Sequence, residues 1–429
     1  MVNSMTAMRG RIVFRNIGTL LSGDLAEPIL SAASLLVEDG VISEIGTEPD
    51  ADTVIDLHGA TLAPGLWDSH FHPYFGDYSP RQRVNGAVER TAASGVTTIV
   101  SAGAGHQPGM YLPSPTLPNV QAGLAGQGHN PVRARDARGS KALAITMNEA
   151  WQNSRPSSIK CYAGTVFAED GFVRDDFVDM MANGIRLLKF QRPMSRISEA
   201  QTYRGWAAEL DLLVMTHTGN RPVTSDMTSI LESLQAIDPD IAGHVNGGPT
   251  PAPQEAVDWL IDHGRAALEL VFIGNLRVAA HVLQRAAERN ELHRVILGTD
   301  LPGGTGVVPG GVLRTIQLLS HLTDVPVEQL VCMATGNTAR VHRLPGGRVA
   351  VGEPADLVAW DPVDASETGE FLECVAYGDR AYPGLVMIDG VVTQHGNPLL
   401  LSPKRVPTIH TDLSLAAASG SVQIQATGS

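Results

Sequence analysis

His70 and His72 stand one residue apart at the close of Leu66-Trp67-Asp68-Ser69-His70-Phe71-His72, directly after the apolar run Ala60 to Leu66. If the run is a strand, side chains alternate with period two and both imidazoles share one face. Two neutral imidazoles so placed can grip one metal ion, imidazole being the commonest protein ligand for zinc. The pair alone fits equally two histidines on a solvent-facing strand end, so residues further along decide. His217 ends Leu212-Leu213-Val214-Met215-Thr216, and His244 ends Ile241-Ala242-Gly243. Asp300 follows Val295-Ile296-Leu297-Gly298-Thr299, and Lys189 lies in Leu187-Leu188-Lys189-Phe190. Four histidines and an aspartate, distributed over the ends of four separate apolar runs, form a ligand set if the fold brings those run ends together.

The elements that must do this are legible as a pattern. From Arg11 to Gly65 the reading is β: Arg11 to Phe14, Ser34 to Glu38, Val41 to Ile45 and Val54 to Leu57, with Asp39-Gly40 as a hairpin turn. The same texture returns at Gly347 to Val351, Asp356 to Trp360 and Leu385 to Ile388, with Asp389-Gly390 before Val391. Between them strand-like and helix-like segments alternate. The strands end at His72 and then run through Thr97 to Ala102, Ile159 to Thr165, Ile185 to Gln191, Leu212 to Thr216, Ile241 to Val245, Ala267 to Ile273 and Arg294 to Leu297. Helices are expected through Ala87 to Ala93 and near Asp175 to Ala182. Eight such units predict an α/β chain with a (β/α)8 TIM-like barrel over 68–345 and a small β-sandwich from both chain ends, 1–67 and 346–400. In a barrel the carboxyl ends of the strands converge on one mouth. A doubly wound sheet is the alternative, but it leaves the ligand pattern unexplained. Gln107 to Arg138, rich in Gly, Pro, Asn and Gln, reads as a lid, an oligomer contact or a surface excursion. The 401–429 extension is expected to be partly disordered, its stretch from Leu413 being rich in Ala, Ser and Gly.

Composition bounds the partners. A net charge of −14 argues against nucleic acid or an anionic membrane as partner. Three cysteines, Cys161, Cys332 and Cys374, give no disulfide framework, and neither a signal-like N-terminus nor a long apolar run is present. The expectation is a soluble cytoplasmic protein acting on a small molecule.

His70-x-His72 after strand one, Lys189 on strand four, His217 on strand five, His244 on strand six and Asp300 after strand eight resemble the amidohydrolase superfamily. The run Ala60-Thr61-Leu62-Ala63-Pro64-Gly65-Leu66 fits that family too. Within it the chain is most similar to the enamidase branch, hydrolases that open a cyclic enamide in bacterial nicotinate breakdown. That likeness rests on Gly76-Asp77-Tyr78-Ser79-Pro80-Arg81-Gln82, Gly95 to Gly103, Gly139 to Thr146, His244-Val245-Asn246-Gly247-Gly248-Pro249-Thr250 and Cys332 to Asn337, and covers the chain from about Val37 to Val392. The resemblance implies one or two divalent ions (zinc foremost, with iron, manganese or cobalt as alternatives) on His70, His72, His217, His244 and Asp300. It also implies a homo-oligomer, a tetramer by likeness to enamidase. One departure stands out. The enamidase branch bridges its metals with a glutamate on strand four, whereas this chain has Lys189 and Phe190 there. In other branches a lysine at this place takes up carbon dioxide as a carbamate and bridges two metals. If Phe190 faces inward instead, the site holds one metal.

The chemistry implied is metal-assisted hydrolysis of a C–N bond. A divalent ion lowers the pKa of water to near 7, and the hydroxide attacks the carbonyl carbon of a small, cyclic amide. Asp300 serves as base and then as acid to the leaving nitrogen. Asn246, Gly247 and, more weakly, His106 are candidate substrate contacts. A one-metal deaminase acting on an amino-heterocycle is the rival enzyme; that branch resembles sites with a glutamate three residues after the strand-six histidine or close after strand five. Here Gly247 and Thr218-Gly219-Asn220 stand at those places. A catalytically dead scaffold is the rival from another class, and it fits poorly with retained ligands.

Overall fold

The computed structural model describes residues 10–74, 86–104, 136–191, 193–219, 222–247, 251–301, 308 and 310–411. Short Val-, Ile- and Leu-rich segments, suited to a pleated and buried surface, form the first seven strands. They are β1 (Arg11–Arg15), β2 (Thr19–Leu21), β3 (Ile29–Leu30), β4 (Leu35–Glu38), β5 (Val41–Ile45), β6 (Thr53–Asp56) and β7 (Thr61–Pro64). Asp39 and Gly40, at φ 51° and 82°, turn β4 back on β5. The run from Ala60 is therefore not one strand. It breaks at Gly65, where a side chain would collide with Thr97, and resumes as β8 (Leu66–Phe71) with the histidines at its end.

Strands and helices then alternate: α1 (Ala87–Ala93), β9 (Val96–Ser101), α2 (Ala137–Asn153), β10 (Lys160–Tyr162), β11 (Thr165–Phe167), α3 (Arg174–Ala182), β12 (Leu187–Phe190), α4 (Ile197–Glu209) and β13 (Leu213–His217). The series continues with α5 (Ile230–Ile237), β14 (Ile241–Gly243), α6 (Gln254–Asp262), β15 (Ala267–Val271), α7 (Leu276–Glu288), β16 (Val295–Gly298), α8 (Gly311–Leu322), α9 (Val327–Met333) and α10 (Gly336–Val341). The chain closes with β17 (Leu357–Pro362), α11 (Phe371–Ala376), β18 (Ala381–Ile388), β19 (Val391–His395) and β20 (Thr408–Thr411).

Strands β8 to β16 make two parallel sheets, ordered β10-β9-β8 and β11-β12-β13-β14-β15-β16. The outer strands of the two sheets are tied to each other. Asp300 N donates to His70 O at 2.7 Å and His72 N to Leu301 O at 2.8 Å. The Asp68 carboxylate accepts from Thr299 N at 2.8 Å and Thr299 Oγ1 at 2.5 Å. At the other side, Thr165 Oγ1 of the outer strand β11 donates to Ser101 O at the end of β9, the middle strand of the smaller sheet, at 2.6 Å. Both ends of the chain contribute to two further sheets, β20-β6-β1-β4-β5 and β19-β18-β17-β7-β2-β3. These share one apolar cluster that includes Phe14, Leu35, Ile55, Leu62, Leu357 and Met387.

The two faces of the parallel strands pack differently. Leu188, Phe190 and Val214 lie among helix residues such as Phe177 and Tyr203. Leu187, Leu213, Met215, Ile241, Ala267 and Ile296 form a separate cluster. By alternation, Lys189 lies on the Leu187 face. The β8–β16 contact has no spare room. A methyl on Gly298 would sit 2.7 Å from His70 N and from Ser69 Oγ. Gly298→Ala is accordingly expected to cost about 1–3 kcal/mol, the usual penalty for overpacking, seen as a lower urea midpoint with an unchanged slope.

Four expectations are corrected. The third strand is split into β10 and β11 by Ala163-Gly164. Gly347 to Val351 forms no strand, because Gly346 and Gly347 take φ 100° and 74° and only crossing bonds such as Val349 N to Ser22 O tie it down. Ala137 and Arg138 begin α2 rather than end an excursion. Strand β20 pairs antiparallel with β6, so the terminal sheet takes in residues beyond 400. His106, residues 107–135 of the excursion, Gly76 to Gln82 and the tail from 412 lie outside the described residues. Among the described residues no helix is long and apolar enough to cross a membrane.

Candidate metal centre

Every polar residue singled out at a strand end comes from the carboxyl side of a parallel strand. His70 lies on β8 and His72 just beyond it; Lys189 lies on β12 and His217 closes β13. His244 follows β14, and Asp300 follows β16. Ligand-type atoms of His70, His244 and Asp300 lie within 4.8 Å of one another. Asp300 Oδ1 is 3.0 Å from His72 Nε2 and 3.5 Å from His70 Nε2. Lys189 Nζ is 2.8 Å from His70 Nε2, and His217 Nδ1 is 2.8 Å from His244 Nε2. Lys189 is fully buried, with Phe190 packed on the opposite side among the helices.

The hydrogen-bond partners assign the tautomers. His70 Nδ1 faces the Glu269 carboxylate at 2.5 Å, and His72 Nδ1 faces the Gly103 carbonyl at 2.7 Å. Both partners only accept, so each Nδ1 carries the hydrogen and each Nε2 of a neutral ring presents its lone pair to the centre. There His72 Nε2 meets a carboxylate oxygen, acceptor against acceptor. His244 Nδ1 is buried with no hydrogen-bond partner among the described residues. Imidazole lone pairs and a carboxylate crowded together, with a donor atom left over, are what a divalent cation needs, so the residues fit one.

Electrostatics agree with that chemistry. Burial pushes the His70 imidazolium well below its ordinary range and that of His244 down to about 3, keeping both rings neutral. Burial alone would raise the Asp300 carboxyl. The positive charge that His70, His72 and His244 would carry if protonated outweighs it and holds the group below the usual carboxylate range; among neutral rings a bound cation would take that place. Burial lowers the Lys189 ammonium, opposed by Asp300 and Glu269. Two non-glycine residues of the cluster, His244 and Asp300, take φ 40° and 58°, a backbone region costly for L-residues and concentrated at functional sites.

Asn246 requires a correction. Its amide donates to Val271 O at 2.9 Å and accepts from Val271 N at 2.8 Å, and it is 1% exposed. Both ends are spent on the backbone beyond β15, so it staples the loop and does not face a substrate. Gly247 is buried at φ 44° and donates to His244 O. Glu269, absent from the sequence reading, is fully buried on β15 against His70, Ser69 and His244. The signal was present, a lone acid inside Ala267-Leu268-Glu269-Leu270-Val271. Asp68 was also passed over; burial pushes its carboxyl up to about 7 against hydrogen bonds from Thr299 and His70.

Residues 228–393 match the family model described as the amidohydrolase family. The chain is 36% identical over 400 residues to the enamidase of Eubacterium barkeri, covering 90% of this chain and 97% of that one. It is similar to a crystal structure of enamidase with TM-score 0.83 and 34% identity, over 93% of this chain and 100% of the other. An adenine deaminase of Listeria monocytogenes is 24% identical over 370 residues, covering 85% of this chain and 55% of the deaminase. A dihydroorotase crystal structure, at 19% identity and TM-score 0.58, shares the fold.

Proposed function

This chain belongs to the amidohydrolase family, hydrolases of carbon–nitrogen bonds other than peptide bonds, and we propose that it opens a small cyclic amide such as an enamide, lactam or imide. The observation that carries the reading is the Asp300 carboxylate held against the lone-pair faces of His70 and His72, with His244 beside them. Identity to an enamidase over most of both chains supports the cyclic enamide as the substrate class.

In this reading the two parallel sheets are one (β/α)8 barrel, supported by the bonds between β8 and β16 and by Thr165 reaching Ser101. The terminal sheets form the accompanying sandwich, supported by their shared apolar cluster. His70, His72, His217, His244 and Asp300 would hold one or two divalent cations, zinc foremost, with Lys189 as a carbamate between two of them. When bound, such a cation supplies Lewis acidity, making water acidic near neutral pH and drawing charge from a carbonyl oxygen. Asp300, ionised at neutral pH, takes a proton from the attacking water as its oxygen bonds to the carbonyl carbon. It returns that proton to the nitrogen as the C–N bond breaks. Buried, neutral His70 and His244 keep their lone pairs available. Position 247, where a deaminase would need a carboxylate, is a glycine.

His70→Ala, His72→Ala, His217→Ala and His244→Ala are each expected to lower bound metal and turnover together, read by metal analysis alongside hydrolysis of a panel of cyclic amides, lactams and imides. Full activity with normal metal content in His217→Ala or His244→Ala would remove that residue from the site. A wild-type protein that binds no divalent ion and turns over none of the panel would overturn the reading as a whole.

A further inference from the structure

We propose that Glu269 is a positioning residue whose single carboxylate sets both the His70 ring and the backbone at His244 for metal binding. It rests on the reading of those two histidines as ligands. Glu269 sits in the middle of β15, fully buried, between β14, which His244 follows, and β16, which leads to Asp300. Strand β15 itself supplies no ligand. What it supplies is this carboxylate, made fully of acceptors, and three donors converge on it. His70 Nδ1 lies 2.5 Å from Oε2, the His244 backbone N–H donates to the same oxygen at 3.1 Å, and Ser69 Oγ donates to Oε1 at 2.7 Å.

A carboxylate inside an apolar strand is expensive, and a leucine of similar volume would pack there at less cost. Its retention needs a role that leucine cannot fill. Holding His70 Nδ1–H fixes the tautomer and aims Nε2 at the centre, where Lys189 and Asp300 meet it. A ligating histidine whose other nitrogen is bound to a carboxylate is also a better donor. At His244 the same oxygen anchors a residue at φ 40°, where an imidazole-bearing backbone does not stay unaided. One side chain therefore governs two ligands from two different strands.

The test uses the full chain, stripped with a chelator and titrated with zinc ion against a chromophoric competitor. Glu269→Gln keeps the shape and an acceptor for His70 but loses the charge. Zinc affinity is expected to fall about 10–100-fold, the scale of a lost outer partner, with KM unchanged and kcat recovering at saturating zinc. Glu269→Leu should lose more affinity than Glu269→Gln. Wild-type zinc affinity in Glu269→Gln, with or without a lowered melting temperature, would overturn the proposal, since a merely structural role moves melting alone. His70→Ala run in parallel separates the two failures. If it too binds zinc as the wild type does, the metal reading itself falls. If it loses zinc while the Glu269 variants keep it, only the Glu269 role falls.

Discussion

Asp300→Asn should keep most of the metal yet turn over a cyclic amide at least about 10²-fold more slowly, the scale of a lost general base. The side chain follows β16 at φ 58°, tied by its own N–H to His70 O, so its place is fixed by backbone and not by its charge. Asparagine has the same shape and leaves an oxygen facing His72 and His70. It lacks the proton affinity that the carboxylate brings. In the wild type, burial works to raise that carboxyl, but His70, His72 and His244 hold it below the usual range, so it is ionised at neutral pH and its lone pairs face the centre. Metal content per chain and kcat, measured on the same preparation, check the prediction. A wild-type rate in Asp300→Asn would remove the proton-shuttle role. A fall in metal that matches the fall in rate would make Asp300 a ligand and nothing more.

The parts of this site that could be read from sequence are those at strand ends, where a polar residue interrupts an apolar run. His217, His244 and Asp300 announce themselves in that way, and eight repeats of the pattern gave the order of the parallel strands. What could not be read is whatever depends on residues far apart. Asp68 and Thr299 are 231 positions apart, and their bond is what brings Asp300 to the histidines. Glu269 and His70 are 199 apart, so an acid in a strand carried no sign of its partner. Parallel strands are apolar on both faces, hence Leu187 to Phe190 did not say which way Lys189 points until Phe190 was seen packed among the helices. Asn246 misled because a polar residue after a ligand histidine resembles a substrate contact. Its amide is consumed by Val271, 25 positions on. Gly347 to Val351 misled because its apolar residues follow glycines at positive φ, which turn the chain where a strand would need it extended.

Lys189→Ala is expected to reduce the metal content from about two ions per chain to about one and to remove most activity, the loss that follows when a paired-cation clamp is broken. The premise is that the Lys189 amine has joined carbon dioxide: the Nζ–C bond forms, one proton leaves for solvent, and the anion left behind offsets the cations' charge. The premise draws on where Lys189 lies. Lys189 is fully buried on the same face as Leu187, with Nζ 2.8 Å from His70 Nε2 and hence at the edge of the ligand cluster. Apart from Asp300, the ligand candidates at the strand ends are imidazoles, and Glu269 is turned toward Nδ1 on the far side of His70. Among the described residues no further carboxylate reaches the Nε2 side of His70. Formate or acetate added to Lys189→Ala should then partly restore both metal and rate, and bicarbonate should speed reconstitution of the stripped wild type. Lys189→Arg should not substitute, because a guanidinium stays charged and forms no carbamate. If Lys189 is instead a plain ammonium that donates to His70 and balances Asp300 and Glu269, Lys189→Arg will be mild and bicarbonate without effect. A fully active, fully metallated Lys189→Arg enzyme would sink the carbamate, and the site would then be a single cation held by His70, His72, His217, His244 and Asp300.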